Sequence, residues 1–276
     1  MIPGPLTFDD SSHSYHLNGQ RCTNISSLPT IVTNQYRLEL YRRRQIADAF
    51  VRQPELIEQI AAASDNNDAI DRILEPIAGP GGKARRGIFM HRALQLVLLG
   101  RADELLTDQQ RADATALLRT LDRYRLTPTE WVENFVVFPE FLVAGRFDAI
   151  LEKPDGTPVM VDLKSGANAV TYPQSVAIQL ALYSNAAFMA ASVQTTGDRS
   201  VVTEWSTLPE NLDLARGYVL LVEPGEPVGT LHRINIQHGW AAAQLALRIM
   251  NWRKDFNYGR QLAREVKLPR RQRDEA

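Results

Sequence analysis

Cysteine is almost absent from this chain: Cys22 is the single one in 276 residues. One thiol excludes an intrachain disulfide framework and any four-cysteine zinc or iron–sulfur site, and it agrees with a reducing cytosol. No apolar run is long enough to cross a bilayer, so no membrane contact is expected. The opening Met1-Ile2-Pro3-Gly4-Pro5 has no charged segment leading into an apolar one, so no signal peptide is expected. Internal repeats, low-complexity tracts, Walker motifs and dinucleotide-binding fingerprints are missing as well. A surplus of positive charge is also lacking. Lys plus Arg number 31 against 32 Asp plus Glu, giving net charge −1 and pI ≈ 6.5, whereas nucleic-acid-binding domains often have a pI above about 9. A polyanionic partner would therefore have to meet locally grouped cations. Three groups exist: Arg42, Arg43 and Arg44; Lys83, Arg85 and Arg86; and a tail with Arg260, Arg264, Lys267, Arg270, Arg271 and Arg273. Each taken alone reads as a solvated face.

What is present suffices for a sizeable core, since 44% of the residues are hydrophobic. Tyr15, Leu17 and Asn18-Gly19 predict a short hairpin within 7–32. Helical spacing of Leu38, Tyr41, Ile46 and Phe50, followed by Leu56, Ile57 and Ile60, predicts helices over 35–76. Gly79-Pro80-Gly81-Gly82 breaks the pattern. Helices then follow over about 85–99, with Ile88, Ala93, Leu96 and Val97 as apolar contacts, and over about 107–124. Strands are expected at 131–138, 142–152 and 158–164, with Asp155-Gly156 as the turn between the last two. A helix at 173–191 and strands at 201–206, 217–223 and 230–236 complete the pattern. A long helix starts near Gln237 and buries Trp240, Leu245, Ile249, Trp252 and Phe256. Helices, then a strand meander, then helix and strands imply an α/β fold with a mixed sheet under helices. We divide the chain into a hairpin and helical lobe at 1–80, a core at 81–259 and a basic tail at 260–276.

The chemistry concentrates on the middle strands. In Gly145-Arg146-Phe147-Asp148-Ala149-Ile150-Leu151, alternation turns Phe147, Ala149 and Leu151 one way and Asp148 the other. In Val159-Met160-Val161-Asp162-Leu163-Lys164, Asp162 and Lys164 share the face opposite Val159, Val161 and Leu163. The turn brings two carboxylates and an ammonium together. Like charges in a poorly hydrated site repel; a divalent cation that prefers oxygen ligands and keeps waters for phosphate relieves the repulsion. Downstream, Gln179 and Tyr183 stand i and i+4 on one helix face. Upstream, His91 follows Gly87-Ile88-Phe89-Met90 on a helix.

A helical histidine, G-x-x-D, hydrophobic-D-hydrophobic-K and Q-x-x-x-Y occur in that order over about residues 85–185. In this the chain resembles the RecB-like branch of the PD-(D/E)XK nucleases, which includes phage exonucleases and CRISPR-associated RecB-like nucleases. The resemblance implies a restriction-endonuclease-like mixed central sheet flanked by helices, with helical N-terminal additions. It implies Mg²⁺ or Mn²⁺ held by His91, Asp148, Asp162 and the carbonyl of Leu163, with Asp148, Asp162 and Lys164 catalytic. Gln179 and Tyr183 would contact DNA or orient the site. The iron–sulfur cluster of several CRISPR-associated relatives cannot form on one cysteine. The partner implied is DNA, with recombination or repair proteins alongside, in the cytoplasm or, for a phage-encoded chain, the bacterial host cytosol. The residues leave some roles open. Arg85 and Arg86 precede the histidine helix and suit phosphate contact. Ser165 either contacts phosphate or ends its strand. Glu133 either assists the site or faces solvent. His13 and His16 read as hairpin residues, His232 and His238 as peripheral, and Trp205, Trp240 and Trp252 as core.

Overall fold

The computed structural model describes residues 2–255 apart from 35, 79–80, 106, 166–167 and 224–225. The chain begins with strands β1 (Leu6–Asp9), β2 (Ser14–Leu17), β3 (Gln20–Arg21) and β4 (Thr23–Asn24). Asn18 and Gly19 both take positive φ, 52° and 76°, and turn β2 into β3 as expected. Helices α1 (Tyr36–Arg52), α2 (Glu55–Ala62), α3 (Asn67–Ala78), α4 (Gly81–Leu98) and α5 (Asp108–Tyr124) follow. The α5 start is fixed by a reciprocal cap: Thr107 Oγ1 accepts from the Gln110 N–H, and Gln110 Oε1 accepts from the Thr107 N–H. Next come β5 (Thr127–Phe138), β6 (Val143–Glu152) and β7 (Pro158–Lys164), then α6 (Asn168–Thr171) and α7 (Gln174–Ser184). Strands β8 (Phe188–Thr196), β9 (Arg199–Ser206), β10 (Arg216–Leu221) and β11 (Thr230–Asn235) lead to α8 (Ile236–Asp255).

All described strands belong to one mixed sheet in the order β11-β10-β7-β6-β5-β8-β9-β1-β2-β3, with β4 alongside β6. Most neighbours are antiparallel; β10 runs parallel to β7, and β4 parallel to β6. The fold is thus α/β and restriction-endonuclease-like, a mixed sheet flanked by helices. Three apolar clusters hold it. One lies between the sheet and α7–α8, with Phe147, Ile150, Met160 and Leu180. A second lies under α4–α5, with Leu94, Leu117, Ala149 and Leu163. The third, with Leu6, Phe8, Tyr15 and Phe135, joins the N-terminal strands to the rest.

Several expectations need correction. The helix expected at 173–191 stops at Ser184, where the Asn185 N–H and Nδ2 both donate to the Ala181 carbonyl. Residues 188–196 form β8, which pairs with β5 and β9; that pairing overrides the helical propensity of the alanines. The helix expected from about 85 starts at Gly81, so Gly81 and Gly82 lie in its first turn. On α8, Leu245 and Trp252 are 52% and 60% exposed. The buried seam is instead Ala243, Ala246, Leu247 and Met250. A Cβ on Gly239 would lie 2.1 Å from the Ala177 carbonyl oxygen, so α8 approaches α7 along small side chains. Trp240 is partly buried, stacked on Phe138. Phe256 and the tail at 260–276 lie outside the described residues. Finally, Phe147 does not share a face with Ala149 and Leu151: it packs with Ile150 toward α7–α8, while they pack toward α4–α5. The pleat therefore breaks at Asp148.

Candidate active site

That break coincides with a parting of strands. β6 and β7 pair from Glu152–Pro158 to Ala149–Val161 and no further. On the same edge, β4 meets β6 at Val143 and Ala144. Residues 145–148 therefore sit in a gap between two partners. Asp148 partly fills it: its Oδ2 accepts the Leu163 N–H at 2.6 Å, a side chain standing in for a ladder carbonyl. On the far side the sheet forks again. β5 pairs with β8 only at Val136–Met189 and Val137–Phe188, beyond which Asn134 Nδ2 reaches the Ala190 carbonyl at 3.0 Å. A cleft of about 920 Å³ opens in this fork. It is lined by His91, Glu133, Asp148, Asp162, Lys164, Gln179 and Tyr183, with the tip of the β1–β2 hairpin and the β8–β9 hairpin as outer walls.

The expected side chains arrive from α4, β6, β7 and α7. His91 projects from α4 and puts Nδ1 3.1 Å from Asp148 Oδ1. Lys164 ends β7, with Nζ 2.9 Å from Asp162 Oδ1 and 2.7 Å from Oδ2. The Oδ2 contact is an ion pair to the same ammonium, and that oxygen is buried. On α7, Gln179 Nε2 donates to Tyr183 Oη at 3.1 Å, and the Tyr183 ring meets Phe147 edge-on. The glycine of G-x-x-D has a packing reason. A Cβ on Gly145 would come within 2.9 Å of both Ile25 Cβ and Tyr183 Cε1.

Glu133 is among the residues whose role the sequence left open. The register of β5 shifts between Pro128 and Val132, and Glu133 follows in the left-handed region at φ 49°. Its side chain is only 12% exposed and pairs with Arg146 Nε at 2.9 Å. One ligand atom each from His91, Glu133 and Asp148 lies within 4.8 Å of the others. Asp162 is not in that threesome; it is beside them, held by Lys164.

The electrostatics follow from burial opposed by charge. Burial disfavours the His91 imidazolium, but Asp148 and then Glu133 outweigh it and raise His91 to about 9. Burial, and next the Asp148 charge, raise Glu133 to about 7 against the pull of Arg146 and His91. Asp148 resists its own burial and is lowered by His91, Lys164 and the Leu163 N–H. Asp162 is raised by burial and by Asp148 despite Lys164. Burial works against the Lys164 ammonium, yet Asp162 and Asp148 raise it. Burial keeps Tyr183 protonated. An imidazole and two carboxylates in mutual reach fit a hard divalent cation that accepts N and O ligands.

The other expected residues are placed less centrally. Leu163 enters through its N–H, on Asp148. Ser165 sits half-buried at the bend after β7 and is not among the cleft-lining residues. Arg85 and Arg86 fall on α4, but their side chains lie outside the described residues. His13 lies in the β1–β2 turn at φ 48°, His16 on β2, and neither joins a metal-ligating group among the described residues. No described helix is long and apolar enough to cross a membrane.

Residues 68–216, more than half the chain, match the PD-(D/E)XK nuclease superfamily. No curated protein matches the chain.

Proposed function

The chain belongs to the PD-(D/E)XK nuclease superfamily, and from that membership we propose a divalent-metal-dependent DNA exonuclease of the RecB-like branch, acting on DNA ends in phage or bacterial recombination, repair or degradation. The observation that carries this reading is the meeting of His91, Glu133, Asp148, Asp162 and Lys164 in one cleft from four separate elements. The cleft wall holds six carboxylates, on Asp10, Glu130, Glu133, Asp148, Asp162 and Asp198, against Arg92, Arg146 and Lys164. A DNA strand entering so acidic a groove needs a cation first, which supports metal dependence.

His91, Asp148 and Asp162 would hold Mg²⁺ or Mn²⁺, with Glu133 as a further ligand and the Leu163 carbonyl completing the set. The ion, when bound, supplies an activated water and stabilises charge on the phosphate and leaving oxygen. Lys164 orients that water and offsets phosphate charge, held in place by Asp162. Gln179 orients the site together with Tyr183, which stays a hydrogen-bond donor because burial keeps it protonated. Arg85, Arg86 and Ser165 are proposed contacts to the DNA backbone.

The test is digestion of end-labelled linear DNA and covalently closed circular DNA with Mg²⁺, Mn²⁺ or EDTA. Cleavage of linear DNA alone, abolished by EDTA and by Asp162→Ala and reduced about 10²–10⁴-fold by Lys164→Ala, is expected. Cutting of the closed circle would replace the exonuclease with an endonuclease. DNA binding by folded protein with no cleavage under any metal would leave a binding module in its place.

A further inference from the structure

Arg146 stands two residues before Asp148 on β6 and belongs to none of the groups assigned above. Its guanidinium lies over the rings of Phe8 and Phe135, 5.0 and 5.9 Å from their centroids. Those rings fix its plane. One edge faces Glu133, with Nε 2.9 Å from Oε2 as an ion pair outside hydrogen-bond alignment. The other is loosely held: Nη2 reaches Asp10 Oδ1 only at 3.4 Å, against about 2.7–2.9 Å for a charge-assisted hydrogen bond. Asp10 is itself 56% exposed at the tip of the β1–β2 hairpin, and Nη1 meets no acceptor among the described residues. A planar fork of five donors that pairs with one acid by charge alone and donates one long hydrogen bond to another, while lining an open cleft, suits bidentate phosphate recognition.

We infer that Arg146 binds a non-scissile backbone phosphate of the DNA, and that Asp10 occupies the anion position until the strand displaces it. This rests on the reading of the cleft as a DNA-cleaving site. Two strand residues separate Arg146 from Asp148 by about 7 Å, of the order of one nucleotide step, so a phosphate held here leaves its neighbour beside the acidic cluster. Glu133 stays on Nε throughout, so the guanidinium exchanges one anion for another and is never left unpaired. The N-terminal hairpin, which lies outside the matched residues, thereby becomes part of the substrate track.

The experiment measures binding of a fluorescent oligonucleotide to the full chain across a salt series, with Mg²⁺, in a Lys164→Ala background that slows cleavage. Arg146→Gln should weaken binding and lower the slope of log K against log salt by about 0.7–0.9. Asp10→Asn should tighten binding about two- to fivefold, the equivalent of removing a competing exposed ion pair. Glu130→Gln, the same charge change on another exposed acid of the cleft, should give a smaller gain. An unchanged slope in folded Arg146→Gln overturns the proposal, and so does an Asp10→Asn gain no larger than that of Glu130→Gln. Because Arg146 also ties the hairpin to β5, Asp10→Asn decides the matter if Arg146→Gln does not fold. Failure of the background protein to bind DNA at any salt would sink the nuclease reading as well. Normal binding by the background protein, with both variants silent, would sink the phosphate site alone.

Discussion

Gly145 leaves no room for a methyl group, since Ile25 and Tyr183 already occupy the space from two sides. The G-x-x-D and Q-x-x-x-Y patterns are thus two halves of one packing contact. Gly145→Ala should cost about 1–3 kcal/mol through overpacking and push Tyr183 off Gln179. A loss of activity larger than the loss of thermal stability would mark the displaced pair; unaltered stability would remove the argument. The titrating groups of the site make a second prediction at this scale. Glu133 is raised from 4.5 to about 7 and His91 from 6.5 to about 9, so folded protein holds both protons more tightly than unfolded chain. Glu133 contributes its full stabilisation below about pH 4.5 and loses it as pH rises through 7; His91 does so from about 6.5 through 9. Metal-free protein should therefore lose Tm across this window, and Glu133→Gln should flatten its lower part. A divalent ion requires a neutral imidazole and ionised acids, so Mg²⁺ or Mn²⁺ should raise Tm more near pH 8 than near pH 5. Equal metal-induced shifts at both pH values would count against His91 and Glu133 as ligands.

Among the elements, α7 and α8 show how small residues set an active-site wall. Gly239 rests against the Ala177 carbonyl, so Gly239→Ala should force the helices apart, at a cost of about 1–3 kcal/mol. Because α7 carries Gln179 and Tyr183, the variant should also lower kcat more than it raises KM; a KM effect alone would show that α7 kept its position. The same elements show what local sequence reveals. β6 and β7 were legible because Asp148, Asp162 and Lys164 interrupt apolar strands joined by a two-residue turn signal, all within one short stretch. The end of α7 was not, since the alanines at 186–187 and 190–191 favour helix until β5 and β9 supply strand partners from far along the chain. Phe147 and Glu133 escaped strict alternation for a related reason. Glu133 follows a register shift in β5 and takes a positive φ, and Phe147 precedes the break in the pleat at Asp148; both features depend on contacts that no periodicity carries. Leu245 and Trp252 read as buried because helical spacing identifies a stripe without saying how close the neighbour comes.

For the whole molecule, a net charge of −1 gave no sign of a polyanion partner, and the cleft explains why. Its acids outnumber its permanent cations, so a polyanion would be drawn in only with ions that the amino-acid count omits. The sheet order places this cleft at the junction of a core half, β11 to β5, and an outer half, β8 to β3. The outer half ends on the first residues of the chain: β1 covers the free side of β9 from Arg199 to Val202. Stripped of its first twenty-four residues, β9 would present Val201, Val202 and a row of bare amides and carbonyls to any passing strand. Such a shortened chain should self-associate, and light scattering that rises with concentration would reveal it; a monodisperse product would show that the edge is guarded some other way. The hairpin thus occupies an edge that would otherwise accept a foreign strand.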